Sequence, residues 1–286
     1  MSGLKNELLR LGFPEEKLGL VRSSYDLIGD IALLEIPPEA KKYSKQIAQA
    51  VQNINKHVKV VAVKAGATKG KYRVRKIKVI AGEKRSSTVH RESGCSFKVD
   101  LNKAYFSTRL SHERERIALQ VAPKERVLVL FAGVGPFAIV ASKKQPMASV
   151  TAVELNPAAV KLLKENIVLN KVAGRVVAVK ADAKKFCAKK ENKAAFNRVI
   201  MPLPHSAHEF LSGAIRVLKP KGVIHFYSIG EKRRRSHEKL DVFKKPIVRV
   251  SLACKKAKKK CEIVNKRTVL HYSPFEDEVV IDFKAV

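Results

Sequence analysis

The sequence contains no apolar run approaching the roughly 20 residues that span a bilayer, and its opening, MSGLKNELLRLGF, lacks the long apolar segment of a secretory signal. Both absences argue against a membrane-embedded or exported protein, and the chain reads as cytosolic. Cysteine is scarce and scattered. Cys95, Cys187, Cys254 and Cys261 include no CxxC pair, which argues against a zinc site or a disulfide framework and leaves reduced thiols packed singly. Acidic residues are few beside basic ones: 58 Lys and Arg against 26 Asp and Glu leave a formal charge of +32, far beyond what solubility requires. Such a field draws polyanions, because Lys and Arg contacts to phosphate supply the sequence-independent part of nucleic-acid affinity. Charge alone does not separate a nucleic-acid enzyme from a ribosomal-type binder, a peripheral membrane protein or a merely solvated basic surface.

What is present suffices to fill real cores: 286 residues, 45% of them hydrophobic, enough for one large domain or two ordinary ones. Residues 1–100 read as a small α+β unit. It has an amphipathic start, a short apolar strand at 31–36, a break at Pro37 and Pro38, and a helical stretch over 38–55. Strand-like runs at 58–64 and 75–81 follow, about a Gly- and Lys-containing turn at 65–71. Residues 101–286 open with a connecting segment at 102–120 and then alternate β-rich and helical runs, the pattern of a doubly wound α/β sheet. Strands are expected at 126–130, 149–154, 176–180, 198–201 and 222–228. Helices are expected at 136–143, 157–170 and 206–218, with Pro136 and Pro157 in first turns that accept proline and Asn156 as an N-cap. Runs at 267–272 and 278–283 flank a turn at 273–277 and read as a closing antiparallel hairpin. The less regular stretch before it holds two basic clusters, 232–235 and 255–260, which are either solvated faces or RNA contacts. There is no internal repeat.

The chemistry begins at VLVLFAGVGPF, 127–137, a buried strand running into a tight glycine turn and then a helix. Gly133 and Gly135 remove side chains where a ligand approaches the backbone at the carboxyl end of a parallel strand. A dinucleotide site would want a third glycine so that pyrophosphate could sit over the helix N-terminus, but Pro136 and Phe137 occupy that region. S-adenosylmethionine has no pyrophosphate and needs no such seat. The next strand ends at Glu154, about 20 residues after the turn, placed to accept hydrogen bonds from both ribose hydroxyls. Asp182, after the third strand, is placed to accept from an adenine amino group. Either carboxylate alone reads as a surface group; together, at successive strand ends after a glycine turn, they favour a cofactor pocket.

The segments FAGVGPF (131–137), LNP (155–157), KENIVLN (164–170) and HFYSIG (225–230), with YDLIGDIALLEIP (25–37) and YFSTRLSHER (105–114), resemble the archaeal and eukaryotic tRNA (guanine-37 N1)-methyltransferases from about residue 24 onward. The resemblance implies a small RNA-facing N-terminal domain, 1–100, ahead of a Rossmann-like class I transferase domain, 101–286. It implies S-adenosyl-L-methionine as cofactor and the tRNA anticodon stem-loop as partner, with no membrane contact and the chain a cytoplasmic monomer. Longer archaeal relatives carry a further N-terminal tRNA-elbow module, which this sequence is not expected to contain.

On the family pattern Glu113 is the general base that takes the N1 proton of guanine, and Arg73 stabilises charge gathering on O6. Tyr105 flanks the cofactor or the target base, and Phe131 and Pro202 join Gly133, Gly135, Glu154 and Asp182 on the cofactor side. The plainer readings are an ion pair of Glu113 with Arg109 or Arg116 on a helix, and a phosphate-binding Arg73. Three positions depart from the family: Val129 stands where an acid is common, Glu154 where aspartate is more frequent, and Pro202 where an asparagine reads the guanine edge. Transfer of a methyl or 3-amino-3-carboxypropyl group to a wybutosine intermediate on the same nucleotide therefore stands beside N1 methylation. A tRNA-binding protein without turnover is the reading from another class.

Overall fold

In the computed structural model, residues 3–66, 72, 74, 76–233 and 238–286 are described. The chain divides into two compact units, Met1–Thr108 and Arg109–Val286. No helix among the described residues is long and apolar enough to cross a membrane.

The first unit contains α1 (Gly3–Arg10), β1 (Asp26–Ile28), β2 (Ile31–Leu34), α2 (Ser44–Ile54), β3 (Val60–Lys64), β4 (Ile77–Gly82), β5 (Ser87–Glu92) and β6 (Cys95–Asp100). β1 to β4 form a sheet in that order, with β2 and β3 parallel and the other pairs antiparallel. α2 buries Ile47, Ala48, Ala50 and Val51 in a core shared with Leu4 and Leu8 of α1 and Val61 of β3. The helix expected over 38–55 is in two parts, a 3-10 helix at Pro38–Tyr43 and then α2. β1 is too short to show a periodicity. The β5–β6 hairpin is missing from the sequence reading because its strands are largely polar. Its signal was the two-residue loop Ser93-Gly94, both at positive φ, the geometry of a type I′ turn.

The second unit contains α3 (Ser111–Ala118), β7 (Arg126–Leu130), α4 (Pro136–Lys144), β8 (Ser149–Glu154), α5 (Pro157–Leu169), β9 (Val176–Lys180), α6 (Ala183–Ala188), β10 (Phe196–Met201), α7 (Leu211–Val217), β11 (Leu218–Glu231), α8 (Lys244–Lys256), β12 (Cys261–His271) and β13 (Glu276–Ala285). Its sheet has the order β12-β13-β11-β10-β7-β8-β9. β7 to β11 run parallel, and β12 and β13 close the far edge antiparallel. The central β7 is buried from Val127 to Leu130, as a strand covered on both faces must be. From β7 the chain first goes outward through β8 and β9, then returns to place β10 on the other side. β7 and β10 therefore flank the topological switch point, outside whose carboxyl ends such sheets bind ligands.

Three elements correct the sequence reading. The segment taken as a connector contains α3, α6 follows Asp182, and the stretch taken as irregular contains α8. The buried positions of α8, Pro246, Val250, Ala253 and Cys254, are interleaved with lysines that obscured its apolar face. The four cysteines are free, and the thiols of Cys254, at the end of α8, and Cys261, at the start of β12, lie near enough to influence each other's titration.

Gly135 caps α4 in the left-handed region at φ 94°, and a Cβ there would lie 2.3 Å from Leu163 Cδ1 and 3.2 Å from Ile139 Cδ1. Backbone strain and overpacking act together, so Gly135→Ala is expected to lose about 2–4 kcal/mol of stability in urea denaturation. Wild-type stability for this variant would show that the turn tolerates a side chain.

Candidate active site

The turn after β7 is strained and held from several sides. Phe131 has φ 57°, a left-handed conformation that is costly for a bulky residue, and its ring stands edge-on to Phe210 at 4.8 Å. Ala132 N–H donates to Val153 O at 3.0 Å, tying the turn to β8. Glu154, at the end of β8, reaches back across it. Its Oε2 accepts from Gly133 N–H at 2.8 Å, and its Oε1 accepts from the N–H groups of Leu155 at 2.9 Å and Asn156 at 2.8 Å. On the other side Asn166, fully buried on α5, donates to Val134 O at 3.0 Å. Asn166 lies in a segment that sequence reasoning noticed only as a family motif; its role in fixing the turn is new.

The structure thus brings Gly133, Gly135, Phe131 and Glu154 together at the switch point. Asp182 is at the end of the adjoining strand, where Ala181 N–H donates to Glu154 O at 3.0 Å. Its Oδ1 accepts from Lys184 and Lys185 N–H at 2.9 and 3.2 Å and caps α6. Asn156 caps α5 by accepting from Ala158 N–H at 3.0 Å. Two carboxylates at neighbouring strand ends suit a ligand that presents a vicinal diol and an amino group as donors, and the site residues fit an adenosyl group on that chemistry. Pro202 opens the loop after β10, across the switch point, where Leu203 N–H donates to Met201 O and Ile229 N–H to Pro204 O. Val129 is a fully buried core residue of β7. Tyr105 belongs to the first unit and is 66% exposed in the segment after β6. Arg73 lies outside the described residues.

Glu113, on α3, is 4% exposed and sits at the head of a buried charge network. Arg116, one of its two expected partners, pairs with it on the same helix. Arg116 Nη2 and Nε reach Oε1 at 2.7 and 3.1 Å, and Nε reaches Oε2 at 3.0 Å. Fully buried Tyr227 donates its hydroxyl to Oε1 at 2.7 Å, and Arg267 Nη1 lies 3.8 Å from Oε2. Arg116 also donates to Asp282 Oδ2 at 2.7 Å; Asp282 Oδ1 is 2.6 Å from His225 Nδ1; His225 Nε2 is 2.7 Å from Arg198 Nη1; and Arg198 pairs with Glu125 at 2.9 Å.

Arginine can only donate, so His225 Nε2 accepts and Nδ1 carries the hydrogen given to Asp282. Burial depresses the imidazole's basicity, consistent with this neutral tautomer. Burial would raise the Asp282 carboxyl, but the His225 and Arg116 contacts outweigh it and hold the group well below the usual range. Sequence reasoning missed Arg116's second partner, Tyr227, His225 and Asp282 as a unit, because their proximity is created by sheet register: Tyr227 pairs with Val280 and His225 with Asp282 across β11 and β13.

Comparison with known proteins places these features. Residues 88–264 match the TRM5/TYW2 methyltransferase domain, and residues 5–85 match the TYW2 N-terminal domain. The tRNA (guanine(37)-N(1))-methyltransferase Trm5b of Pyrococcus abyssi is 40% identical over 271 residues, 95% of this chain and 77% of that one. Its crystal structure has a TM-score of 0.83 to this chain, at 38% identity and with 95% and 78% of the two chains covered. An aTrm5 solved in complex with tRNALeu gives a TM-score of 0.81 at 36% identity, covering 98% and 77%. A TYW2 of P. horikoshii in complex with MeSAdo gives 0.78 at 28% identity, covering 98% and 97%.

Glu278, on β13, shares the sheet face of Tyr227 through its pairing with Ile229. Burial, and then the charge of Glu113, push its carboxyl up to about 7. A carboxyl that titrates higher folded than unfolded stabilises the fold at low pH and loses that contribution as pH rises from about 4.5 through 7. Glu278→Gln should therefore match wild type near pH 4.5 and exceed it by up to roughly 3 kcal/mol at pH 8 in parallel denaturant titrations. A constant difference across that range would overturn the assignment.

Proposed function

From the premise that this chain belongs to the TRM5/TYW2 methyltransferase family, we propose that it transfers a methyl group from S-adenosyl-L-methionine to N1 of guanine-37, beside the anticodon of tRNA. It is an S-adenosylmethionine-dependent tRNA methyltransferase with a Rossmann-like catalytic domain. The observation that carries the reading is the Glu154 carboxylate fastened to Gly133 at the switch point, which sets an acceptor and a bare backbone side by side where an adenosyl group would lie. The named activity of the P. abyssi relative and the tRNA held by its aTrm5 counterpart support the same acceptor. The partner is the anticodon stem-loop.

When bound, the cofactor supplies a methyl group already activated on a sulfonium. The protein's share is then to hold the guanine in line and remove its N1 proton. Glu113 takes that proton. Its Oε1 is occupied by Tyr227 and Arg116, so Oε2, the less heavily bonded oxygen, faces the task. Arg116 and Tyr227 position the carboxylate. Glu154 holds the ribose hydroxyls, Asp182 the adenine amino group, and Phe131 and Pro202 line the cofactor; the family resemblance implies that Tyr105 flanks the cofactor or the target base. Arg73 has the O6 side on family resemblance alone. With Pro202 in place of asparagine the loop has no amide at that position for the guanine edge, and contributes a rigid apolar wall.

A second reading is favoured by the match of residues 5–85 to the TYW2 N-terminal domain, and by glutamate at position 154: transfer of a 3-amino-3-carboxypropyl group to a wybutosine intermediate. Nucleosides from unmodified tRNA, and from tRNA that carries the tricyclic intermediate at position 37, each incubated with protein and cofactor, distinguish the two. A gain of about 14 Da on guanosine, co-eluting with 1-methylguanosine, is expected; a gain of about 101 Da on a tricyclic base would replace the first reading by the second.

Two substitutions test the roles. Glu113→Gln should slow single-turnover methylation by roughly 10²–10⁴ with little change in tRNA affinity, and a near-wild-type rate removes it as base. Glu154→Ala should chiefly weaken cofactor binding; calorimetry showing unchanged affinity would take it out of the pocket.

A further inference from the structure

The turn joining β12 to β13 carries two exposed rings, Tyr272 at 54% and Phe275 at 41% exposure. Tyr272 is tied to the active-site loop: its hydroxyl lies 3.1 Å from His205 Nε2, and the two rings meet edge to face at 5.2 Å. His205 is the exposed last residue of the Pro202-Leu203-Pro204-His205 loop after β10, beside the switch point. The opposite flank of the turn is bound to a basic segment. Lys232 N–H donates to Phe275 O at 2.9 Å, and the next residue, Arg233, forms a β-bridge with Lys239; both are exposed. Two nearby carboxylates are paired with lysines, Asp277 with Lys232 at 2.6 Å and Glu231 with Lys245 at 2.6 Å, while Glu276 and Glu238 also flank the turn and the basic segment. Aromatic rings thus stand between the mouth of the site and a strip of cations.

We infer that Tyr272 and His205 form a stacking platform for an unpaired RNA base flanking the methyl acceptor, with Arg233 and Lys239 meeting the adjoining phosphates. The inference rests on the tRNA-methyltransferase reading and deepens it. A loop base presented for methylation is readily splayed out of the stack, and its neighbours then lose a stacking partner. Aromatic side chains beside cationic grooves replace that partner without regard to sequence, since every base has a π-face. The His205 contact restrains the Tyr272 ring before RNA arrives, which lowers the ordering cost of binding. A neutral or basic protein partner would gain nothing from the neighbouring cations, whereas a polyanion gains from each.

The full-length protein, unmodified tRNA and tRNAs with an abasic site at one flanking nucleotide test the platform. Tyr272→Ala should weaken tRNA binding roughly 5- to 100-fold at fixed salt, and Tyr272→Phe should restore most of it. The salt slope should stay unchanged for both. Arg233→Gln and Lys239→Gln should each reduce that slope by about one. On the tRNA lacking the stacked base, Tyr272→Ala should cause no further loss, so one abasic position is coupled to Tyr272 and the others are additive. Equal losses from Tyr272→Ala on every abasic tRNA would overturn the platform, as would tight wild-type binding that Tyr272→Ala leaves intact. Failure of the wild-type protein itself to bind tRNA would overturn the underlying reading as well.

Discussion

One carboxylate organises the proposed cofactor end of this protein. Glu154 spends both oxygens on backbone N–H groups, one in the glycine turn and two at the start of the next loop. A turn that must expose its backbone to a ligand cannot be filled with side chains, so it has little packing of its own to resist deformation. The strained Phe131 adds to that burden. Charge-assisted bonds from Glu154 and the buried amide of Asn166 supply the rigidity instead. Glutamate rather than aspartate gives the extra reach needed to span from β8 to Gly133 while still touching Leu155 and Asn156.

The carboxylate proposed as the base is held by a different means. Glu113, Arg116, Asp282, His225, Arg198 and Glu125 form an alternating chain of acceptors and donors that crosses from α3 through the β11–β13 pair to β10 and the loop before β7. Taking so many ionised groups out of water is costly, and the arrangement is tolerable only because each has a complementary neighbour at hydrogen-bond distance. Stability alone would be served as well by hydrophobic residues of similar volume. A chain of charges ending on Glu113 makes sense as a device that fixes the orientation of one carboxylate, and Tyr227 secures it from the sheet.

The large positive charge does not act uniformly. Many cations are spent inside the fold on carboxylates, as with Arg116, Arg198, Arg85 and Lys232. Others are exposed, among them Arg233 and Lys239 near the β12–β13 turn and Lys255 and Lys256 at the end of α8. In the first unit, by contrast, Asp30 is held by Arg85 and Thr88 against the β1–β2 turn, where charge serves architecture.

The parallel core was legible in sequence because its signals are local: β7, β8 and β9 are continuous apolar runs, Pro157 and Asn156 mark a helix start, and Gly133 and Gly135 mark the turn. Glu154 and Asp182 could be read by counting from that turn, since strand ends recur at regular intervals in a doubly wound sheet. α8 and the β5–β6 hairpin were not legible, their buried positions being diluted by lysine and by polar strand residues. Identity as a transferase thus lay in short contiguous segments. The partners of Glu113 did not: Tyr227 and Asp282 are remote in the chain and meet it only through the β11–β13 register and the docking of α3, contacts that depend on how strands pair rather than on which residues adjoin.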